Sequence, residues 1–319
     1  MNNETSTVQP RVSQTRAFDI PFLRYLWKHR LLYLLSIPGI AYFILFKYIP
    51  MGGVVIAFQQ FNIFKGISGS PWVGLDNFER MFAYMEFARI LKNTLLLAFY
   101  DLLFGFPAPI IAALLLNELR SMAFKRIVQT AIYMPHFLSW VIIGGISLAV
   151  FGQEHGLINH VRDWLGLERL YFLGDESYIR SILVGTGIWR DMGWGTIIYL
   201  AAITGIHPDL YEAAEIDGAS RWKQTLSITI PALLPTITIL FLLQIGHFLD
   251  FGFERVYVFL NSLNQSAGDT LDTYIYRLGL LQQQFSYTTA IGVFKSVVGL
   301  VLLYIGNWLS RKSTGEGLF

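Results

Sequence analysis

Residues 207–235 read HPDLYEAAEIDGASRWKQTLSITIPALLP, a polar segment that leads directly into an apolar run. Pro208 is tolerated in the first turn of a helix, and Asp209 places a negative charge near the helix N-terminus, where the helix dipole favours it. Gly218 permits the turn that ends such a helix. The segment therefore predicts a short helix over residues 210–216.

The rest of this stretch predicts a second helix and entry into a membrane. A short helix is expected over residues 220–226, and Ile230-Pro231 marks the beginning of the apolar run. Ala213 and Ala214 give the first helix a small face that allows close backbone approach. We expect a helix-turn-helix that is rigidly joined to a membrane helix. This shape is suited to transmitting the movement of a partner protein to the membrane-embedded part of the chain.

The composition indicates a membrane protein. Of the 319 residues, 54% are hydrophobic and 14% are charged, and the mean hydropathy is +0.47; soluble domains carry about 25% charged residues. This composition argues against a soluble enzyme. The net charge of +2, without a Lys/Arg-rich tract, gives no support for nucleic acid as a partner. The absence of cysteine excludes disulfides, thiolate metal sites and a cysteine nucleophile.

Six apolar runs are long enough to cross about 30 Å of hydrocarbon at about 1.5 Å per residue. They cover residues 31–58, 91–116, 127–151, 181–205, 228–251 and 286–309. The sequence therefore predicts an all-α, polytopic membrane protein with six transmembrane helices. Its parts are an N-terminal tail (1–30), a transmembrane domain (31–309) and a C-terminal tail (310–319).

The distribution of Lys and Arg predicts the orientation in the membrane. Basic residues crowd both tails and the connections after the second and fourth runs, as follows: Arg11, Arg16, Arg24, Lys28, Arg30, Arg120, Lys125, Arg126, Arg221, Lys223, Arg311 and Lys312. Because cytoplasmic segments carry an excess of positive charge, we expect both termini and the 207–227 loop to be cytoplasmic.

Prolines and long connections modify this simple bundle. Kinks are expected at the prolines of the first two runs, which are Pro38, Pro50, Pro107 and Pro109. The three outer connections contain Gly, Pro and Trp, and we expect them to fold as short helices that offer surface to an external partner. They cover residues 59–90, 152–180 and 252–285.

The 207–231 region resembles the cytoplasmic signature of permease subunits of ATP-binding-cassette (ABC) importers. That signature runs Glu-Ala-Ala, three residues, Gly, nine residues, Ile, one residue, Leu-Pro. The matching residues, with Asp217 from a common variant, are Glu212, Ala213, Ala214, Asp217, Gly218, Ile228 and Pro231. Ile230 replaces the usual Leu, and Thr225 stands where many sugar permeases have Phe. The resemblance implies that residues 207–227 form a coupling loop that docks on an ATPase; the alternative is an interfacial connection without a partner.

Other motifs resemble the complex-polysaccharide branch of the carbohydrate importer permeases. They are Tyr48-Ile49-Pro50-Met51, Gly69-Ser70-Pro71-Trp72-Val73-Gly74 with Asn77-Phe78, and Met134-Pro135-His136-Phe137-Leu138-Ser139-Trp140. The resemblance implies a multi-pass protein of the cell membrane of a Gram-positive bacterium. It also implies binding-protein-dependent import of an oligosaccharide, with a second permease in a heterodimer, two ATPase subunits and an extracellular sugar-binding lipoprotein as partners.

Polar and aromatic residues in the fourth and fifth runs are candidates for a sugar path, because a pyranose has an apolar face and a rim of hydroxyls. They are Trp189, Asp191, Trp194, Gln244, His247 and Asp250. Ionisable groups in a span are costly and therefore suggest function. The ionisable residues inside or near the ends of the predicted spans are Asp101, Arg190, Asp191, Asp250 and Lys295. The alternative is that these Asp, Arg and Lys residues pair internally and that the tryptophans are interfacial, so that they only stabilise the bundle.

No motif predicts chemistry within this chain. His155 and His160 are five residues apart, the wrong spacing for a metal site on one helical turn, and there is no phosphate-binding loop for ATP. We therefore expect no metal, no cofactor and no catalytic residue here, with ATP and Mg²⁺ bound by the partner ATPase. The alternative function is an ion-gradient-driven secondary transporter or channel that uses Asp191, Asp250 or Lys295 as a relay. An intramembrane enzyme, the third reading, lacks a recognisable nucleophile and base.

Overall fold

The computed structural model describes residues 22–314, and this part of the chain is helical with short connections. Its one β-type pairing is an isolated antiparallel bridge between Gln59 and Trp72. Residues 1–21 and 315–319 lie outside the described residues, and with them most of the predicted N-terminal tail, including Arg11 and Arg16, and half of the predicted C-terminal tail. The three predicted parts of the chain stay a prediction.

The chain divides into two compact units, residues 1–54 and 55–319. The described part of the first unit contains helix α1 (Phe22–Lys28) and most of α2 (Arg30–Phe58). Only 6% of the most apolar window of α2 is buried within this chain. Its large apolar side chains are therefore available to lipid or to another protein.

The second unit contains thirteen further helices within the described range. The long helices are α5 (Met85–Asn117), α6 (Met122–Phe137), α7 (Trp140–Phe151), α9 (Glu176–Thr204), α11 (Arg221–Gly246) and α15 (Phe285–Thr314). The short helices are α3 (Gly66–Gly69), α4 (Asp76–Ala83), α8 (Leu157–Trp164), α10 (Pro208–Ile216), α12 (Phe253–Tyr257), α13 (Gln265–Gly268) and α14 (Leu271–Ile275).

Four helices are long and apolar enough to span a membrane, and they coincide with four of the six predicted runs: α2, α5, α11 and the Phe285–Lys312 part of α15. The third predicted run is not one helix, because α6 and α7 meet at an angle of 110°; counted as one broken span, the pair raises the number to five. The fourth run lies in α9, which has 29 residues and includes Arg190 and Asp191.

The break between α6 and α7 has a local cause. Pro135 lies in a 3₁₀ turn at the end of α6, and the side chain of Ser139 accepts a hydrogen bond from the amide of Ile142 at the beginning of α7. A 3₁₀ turn followed by a serine N-cap is a strong signal for one helix ending and another beginning. The continuous apolar pattern hid this signal in the sequence.

Three of the prolines follow a widened helical turn. Pro50, Pro107 and Pro231 are each preceded by five residues of π-helix, at Ile44–Tyr48, Asp101–Gly105 and Thr225–Thr229. Proline lacks an amide hydrogen, and its ring clashes with the carbonyl four residues earlier. A π turn moves that carbonyl away, so the three helices continue through the proline.

The three long connections form short helices, as predicted, and they are also well anchored. The Asn93 amide of α5 donates to the carbonyl of Ser266 at 2.8 Å, and Arg180 of α9 donates to Asn93 at 3.0 Å. The hydroxyl of Thr94 accepts from the amide of Leu271 at 3.0 Å. These bonds attach the 252–285 connection to α5 and α9.

A pair of glycines on α9 provides a test of this packing. A Cβ atom at Gly193 would lie 1.9 Å from the carbonyl oxygen of Ile132 in α6, whereas a Cβ at Gly185 would meet no atom within 4 Å. We expect Gly193→Ala to lower the free energy of unfolding by about 1–3 kcal/mol through overpacking. Gly185→Ala is expected to be neutral or to raise it by up to about 1 kcal/mol, because alanine is the better helix former.

The measurement is thermal or denaturant unfolding of the two purified variants in the same detergent. Equal stability of Gly193→Ala and Gly185→Ala would contradict the close contact between α6 and α9.

Candidate functional site

The first part of the candidate site is helix α10 with the turn that follows it. The helix begins at Pro208, two residues earlier than predicted, and Gly218 lies just past its end with a φ of +74°. The amide of Ala219 donates to the carbonyl of Ala214 at 2.8 Å, and that of Gly218 donates to Glu215 at 3.0 Å. These two bonds form the Schellman arrangement, which requires a left-handed residue and therefore favours glycine at 218.

The surface of α10 is open. Glu212, Ala213, Asp217 and Gly218 are exposed and Ala214 is half-buried. Within the described residues, no ion pair involves Glu212 or Asp217. Large apolar side chains accompany these carboxylates, since Ile216 is 87% and Trp222 is 72% exposed. Small, acidic and apolar groups on α10, on the turn after it and at the beginning of α11 are suited to docking against another protein.

The turn leads into one long helix. The residues predicted as a second short helix, 220–226, are helical from Arg221 onward, but they do not form a separate element, because α11 continues from Arg221 to Gly246. The side chain of Ser220 caps its first turn. The hydroxyl of Tyr211 in α10 is 2.9 Å from that of Thr229 in α11. This hydrogen bond joins α10 to the beginning of α11.

Ile228 and Pro231 belong to α11, beyond the loop itself. Ile228 is half-buried in the π turn, and Pro231 is exposed in the next helical turn. Both lie close to the bond between Tyr211 and Thr229. Their place in the structure therefore fits a role in shaping the beginning of α11.

Glu118 is a contact that the sequence analysis did not identify. Its carboxylate lies 3.3 Å from the guanidinium of Arg221 and 3.5 Å from the hydroxyl of Thr225. Thr225 is buried and also donates to the carbonyl of Arg221 at 3.0 Å. The connection after α5 is thus attached to the beginning of α11. A single glutamate in a short connection gave no sequence signal for this role.

The second part of the candidate site is a cavity of about 380 Å³ between α5, α9 and α11. Three predicted residues, Asp191, Gln244 and His247, line it. Phe106 and Tyr199 contribute aromatic surface to the same walls. The cavity therefore combines hydrogen-bonding groups with aromatic rings, as recognition of a pyranose requires.

Asp191 is held by two neighbours. His136, at the break between α6 and α7, places Nδ1 2.9 Å from Oδ1 of Asp191, and Arg190 donates to the same oxygen at 2.8 Å. The His136 ring also stacks on Trp194, with centroids 4.7 Å apart and planes within 7°. Trp194 therefore contacts His136 and does not line the cavity.

The remaining predicted residues lie elsewhere. Trp189 lines a separate, mainly apolar groove with Phe151 and Tyr178. Asp250 lies 3.2 Å from His247 and also pairs with Lys295, which pairs in turn with Asp272. The interpretation of Lys295 as a structural ion-pair partner therefore fits the contacts better than that of a free relay group.

A buried ion pair closes one side of the cavity. Arg255, which is 6% exposed, lies 2.8 Å from the carboxylate of Asp101 and donates twice to the carbonyl of Leu183, at 3.0 and 2.9 Å. Its guanidinium lies over the ring of Phe251, 4.0 Å from the centroid. Asp101 stood out as an acid in an apolar run, but nothing in the sequence pointed to Arg255.

The described residues contain no group of three or more His, Asp or Glu side chains arranged to hold a metal ion. His155 and His160 lie in the outer connection, where His155 is exposed beside Glu154 and His160 contacts the carbonyl of Gly156.

Comparison with known proteins identifies close relatives. Residues 105–315 match the sequence profile of the binding-protein-dependent transport system inner membrane component. The chain is 47% identical to Protein LplB of Bacillus subtilis over 305 residues, 96% of each chain. It is 49% identical over 292 residues to the polygalacturonan/rhamnogalacturonan transport system permease protein YteP of the same organism, 92% of this chain and 91% of that one.

Among solved structures, the chain is similar to one in the crystal structure of a bacterial alginate ABC transporter in complex with an alginate pentasaccharide-bound periplasmic protein. The TM-score is 0.86 at 39% identity, over 93% of this chain and 99% of that one. Similarity at this level shows that the two chains share the helical fold over most of their length.

Proposed function

Because this chain belongs to the binding-protein-dependent ABC transport permeases, in the group that serves sugars and polysaccharides, we propose that it is one of two permeases lining the path of an oligosaccharide importer. Two ATPase subunits supply the energy, and an extracellular sugar-binding lipoprotein delivers the substrate. The similar alginate transporter is in complex with a periplasmic protein that carries a pentasaccharide, which supports this last partner.

In this proposal the chain crosses the membrane six times and both termini are cytoplasmic. The broken pair α6 and α7 forms one span, and α9 forms the fourth. A span with Arg190 and Asp191 is acceptable because the two side chains pair with each other at 2.8 Å, and internal pairing reduces the cost of charge in the membrane. The basic connections after the second and fourth spans support the orientation.

The observation that carries the proposal is the attachment of a solvent-open docking helix to the first turns of a membrane helix. Glu212 and Asp217 present exposed charge, Ala213 permits close approach and Gly218 sets the direction of the turn. When ATP closes the ATPase subunits, α10 moves with them and α11 follows. ATP and Mg²⁺ act on the partner, since this sequence has no phosphate-binding loop.

The cavity is the proposed sugar path through this subunit. Gln244 and His247 are three residues apart at the end of α11 and line the same wall. Asp191 lies across from them on α9, where His136 and Arg190 orient it. The names of the relatives, which include a polygalacturonan/rhamnogalacturonan permease, support an oligosaccharide as the substrate class.

Truncation of either wall residue is expected to weaken transport. Gln244→Ala or His247→Ala removes about one hydrogen bond to a sugar hydroxyl, worth about 1–1.5 kcal/mol, and should raise the substrate concentration for half-maximal uptake by up to about ten-fold. Leu234→Ala, at an exposed position of the same helix, is the matched control and should leave uptake unchanged. Uptake into proteoliposomes containing the complete transporter measures both.

If the two cavity variants and Leu234→Ala transport alike, the cavity is not the path. A normal rate of ATP hydrolysis in all three variants would show that the coupling between ATPase and permease is intact, so that a loss of uptake is a loss of substrate contact.

Co-purification tests the proposed assembly. Extraction in mild detergent with an affinity tag on this chain is expected to recover a second permease and an ABC-type ATPase. Recovery of this chain alone, together with uptake that persists without any ATPase, would favour a transporter driven by an ion gradient.

A further inference from the structure

Helix α8, in the connection after α7, has its polar and apolar faces reversed relative to a helix of a soluble protein. Its apolar side chains point outward and are exposed; this apolar stripe consists of Leu157, Val161, Trp164 and Leu165. Trp164 is the most exposed of them, at 85%. At 3.6 residues per turn the four positions share a face about 100° wide.

The opposite face is fixed to the protein by a polar residue. Asn159 is fully buried, donates to the carbonyls of Gly152 at 3.0 Å and Leu170 at 2.8 Å, and accepts from the amide of Leu170 at 3.0 Å. These bonds hold α8 in one orientation. The apolar stripe therefore cannot turn inward without losing the hydrogen bonds of a buried amide.

A fixed apolar face of this kind needs an apolar environment, either lipid or another protein. The position of α8 in the chain favours lipid. Only five residues separate its first residue from the end of α7, so it begins where a membrane helix leaves the bilayer. Val141 and Leu148 of α7 are also exposed, which continues the apolar surface toward the membrane.

Positive and negative charges nearly balance around the stripe, which suits a lipid interface better than a docking site for a strongly charged protein. Residues 153–171 carry three acidic and two basic side chains. Arg169 donates to Asp163 at 2.7 Å, and these hydrogen bonds lower the pKa of the Asp163 carboxyl. An exposed tryptophan such as Trp164 is favoured at the boundary between headgroups and acyl chains.

We propose that α8 is an interfacial anchor, whose apolar stripe is inserted into the headgroup boundary of the outer leaflet. The proposal rests on the membrane topology given above, in which residues 152–180 lie outside the cell. The anchor fixes the outer end of the broken span α6–α7 relative to the bilayer surface. Because the local charge nearly cancels, binding does not require anionic lipid.

The absence of cysteine makes a direct test possible. Single cysteines are introduced at the four stripe positions (L157C, V161C, W164C and L165C), with H155C and H160C as exposed polar-side controls and V141C as a lipid-side control. Each is spin-labelled in the complete transporter in phosphatidylcholine nanodiscs, and the unmodified chain is labelled in parallel to correct for cysteines in partners. Collision rates with oxygen and with a water-soluble nickel complex are then measured.

We expect the ratio of oxygen accessibility to nickel accessibility at the stripe positions to be as high as at V141C. At H155C and H160C we expect this ratio to be several-fold lower. High nickel accessibility at all four stripe positions would overturn the proposal, because the stripe would then face water. Protection of the stripe from both reagents would also overturn it and would identify a protein partner. Transport by the parent complex is measured in parallel. If the parent complex transports actively, the proposed function holds, and either contrary labelling result then counts against the interfacial anchor alone.

Discussion

Replacing Gly218 by proline is expected to reduce ATP-driven oligosaccharide uptake to background while the protein stays in the membrane at its normal level. Gly218 has a φ of +74°, whereas proline fixes φ near about −65°. The substitution also removes the amide that donates to Glu215 at 3.0 Å. Without this turn, α10 no longer has a fixed direction relative to α11. Uptake and membrane abundance are measured on the same vesicles.

Gly166 provides an unusually close control, because it ends α8 in the same way. Its φ is +71°, its amide donates to Asp163 at 3.0 Å, and the next amide, of Leu167, donates to Arg162 at 2.8 Å. A Cβ atom would meet no other atom within 4 Å at either glycine. Gly166→Pro should therefore cost similar local stability but retain ATP-driven uptake. Normal uptake by Gly218→Pro, or an equal loss in both variants, would contradict a coupling role for α10.

Arg255→Met is expected to lower the free energy of unfolding by up to about 3 kcal/mol, because it leaves the half-buried carboxylate of Asp101 without its partner. The arginine also satisfies the carbonyl of Leu183 and fills the space beside Gly187, where a Cβ would meet its guanidinium at 2.1 Å. Unfolding of the purified protein in detergent measures the loss.

Two further variants show whether the loss of stability in Arg255→Met comes from the carboxylate of Asp101 that is left without a partner. Asp101→Asn combined with Arg255→Met should recover part of the stability, since no unpaired carboxylate remains. Arg169→Met breaks the exposed pair with Asp163 and should cost no more than about 1 kcal/mol. If Arg255→Met costs as little as Arg169→Met, the ion pair beside the cavity does not stabilise the fold.

The docking helix was predictable because its determinants are local. Pro208 and Gly218 act on the backbone within one or two residues, so the bounds of α10 follow from the sequence to within two residues. The helix predicted over 220–226 is the first part of α11 and not a separate element, because no residue before Pro231 ends the helix. The π turn at Thr225–Thr229 accommodates that proline, and helix α11 continues through it.

The cavity was predictable only in part. Gln244 and His247 share a face of α11 because they are three residues apart, as do Asp191 and Trp194 on α9. Trp189 is two residues from Asp191 and so points to the other side of the helix, into a different groove. The pair of Asp101 and Arg255 joins residues 154 positions apart in the sequence, which no local pattern encodes.

Cross-linking from α10 in living cells tests the central claim most directly, that this helix is held by a separate ATPase. The chain has no cysteine, so single cysteines at Glu212, Ala213 and Asp217 can each be joined by a short cross-linker to cysteines placed on candidate partners. Glu154→Cys, in the connection that we propose to lie outside the cell, is the control. We expect the three α10 positions, and not position 154, to capture a nucleotide-hydrolysing protein. Capture of no such protein from any α10 position would contradict the account.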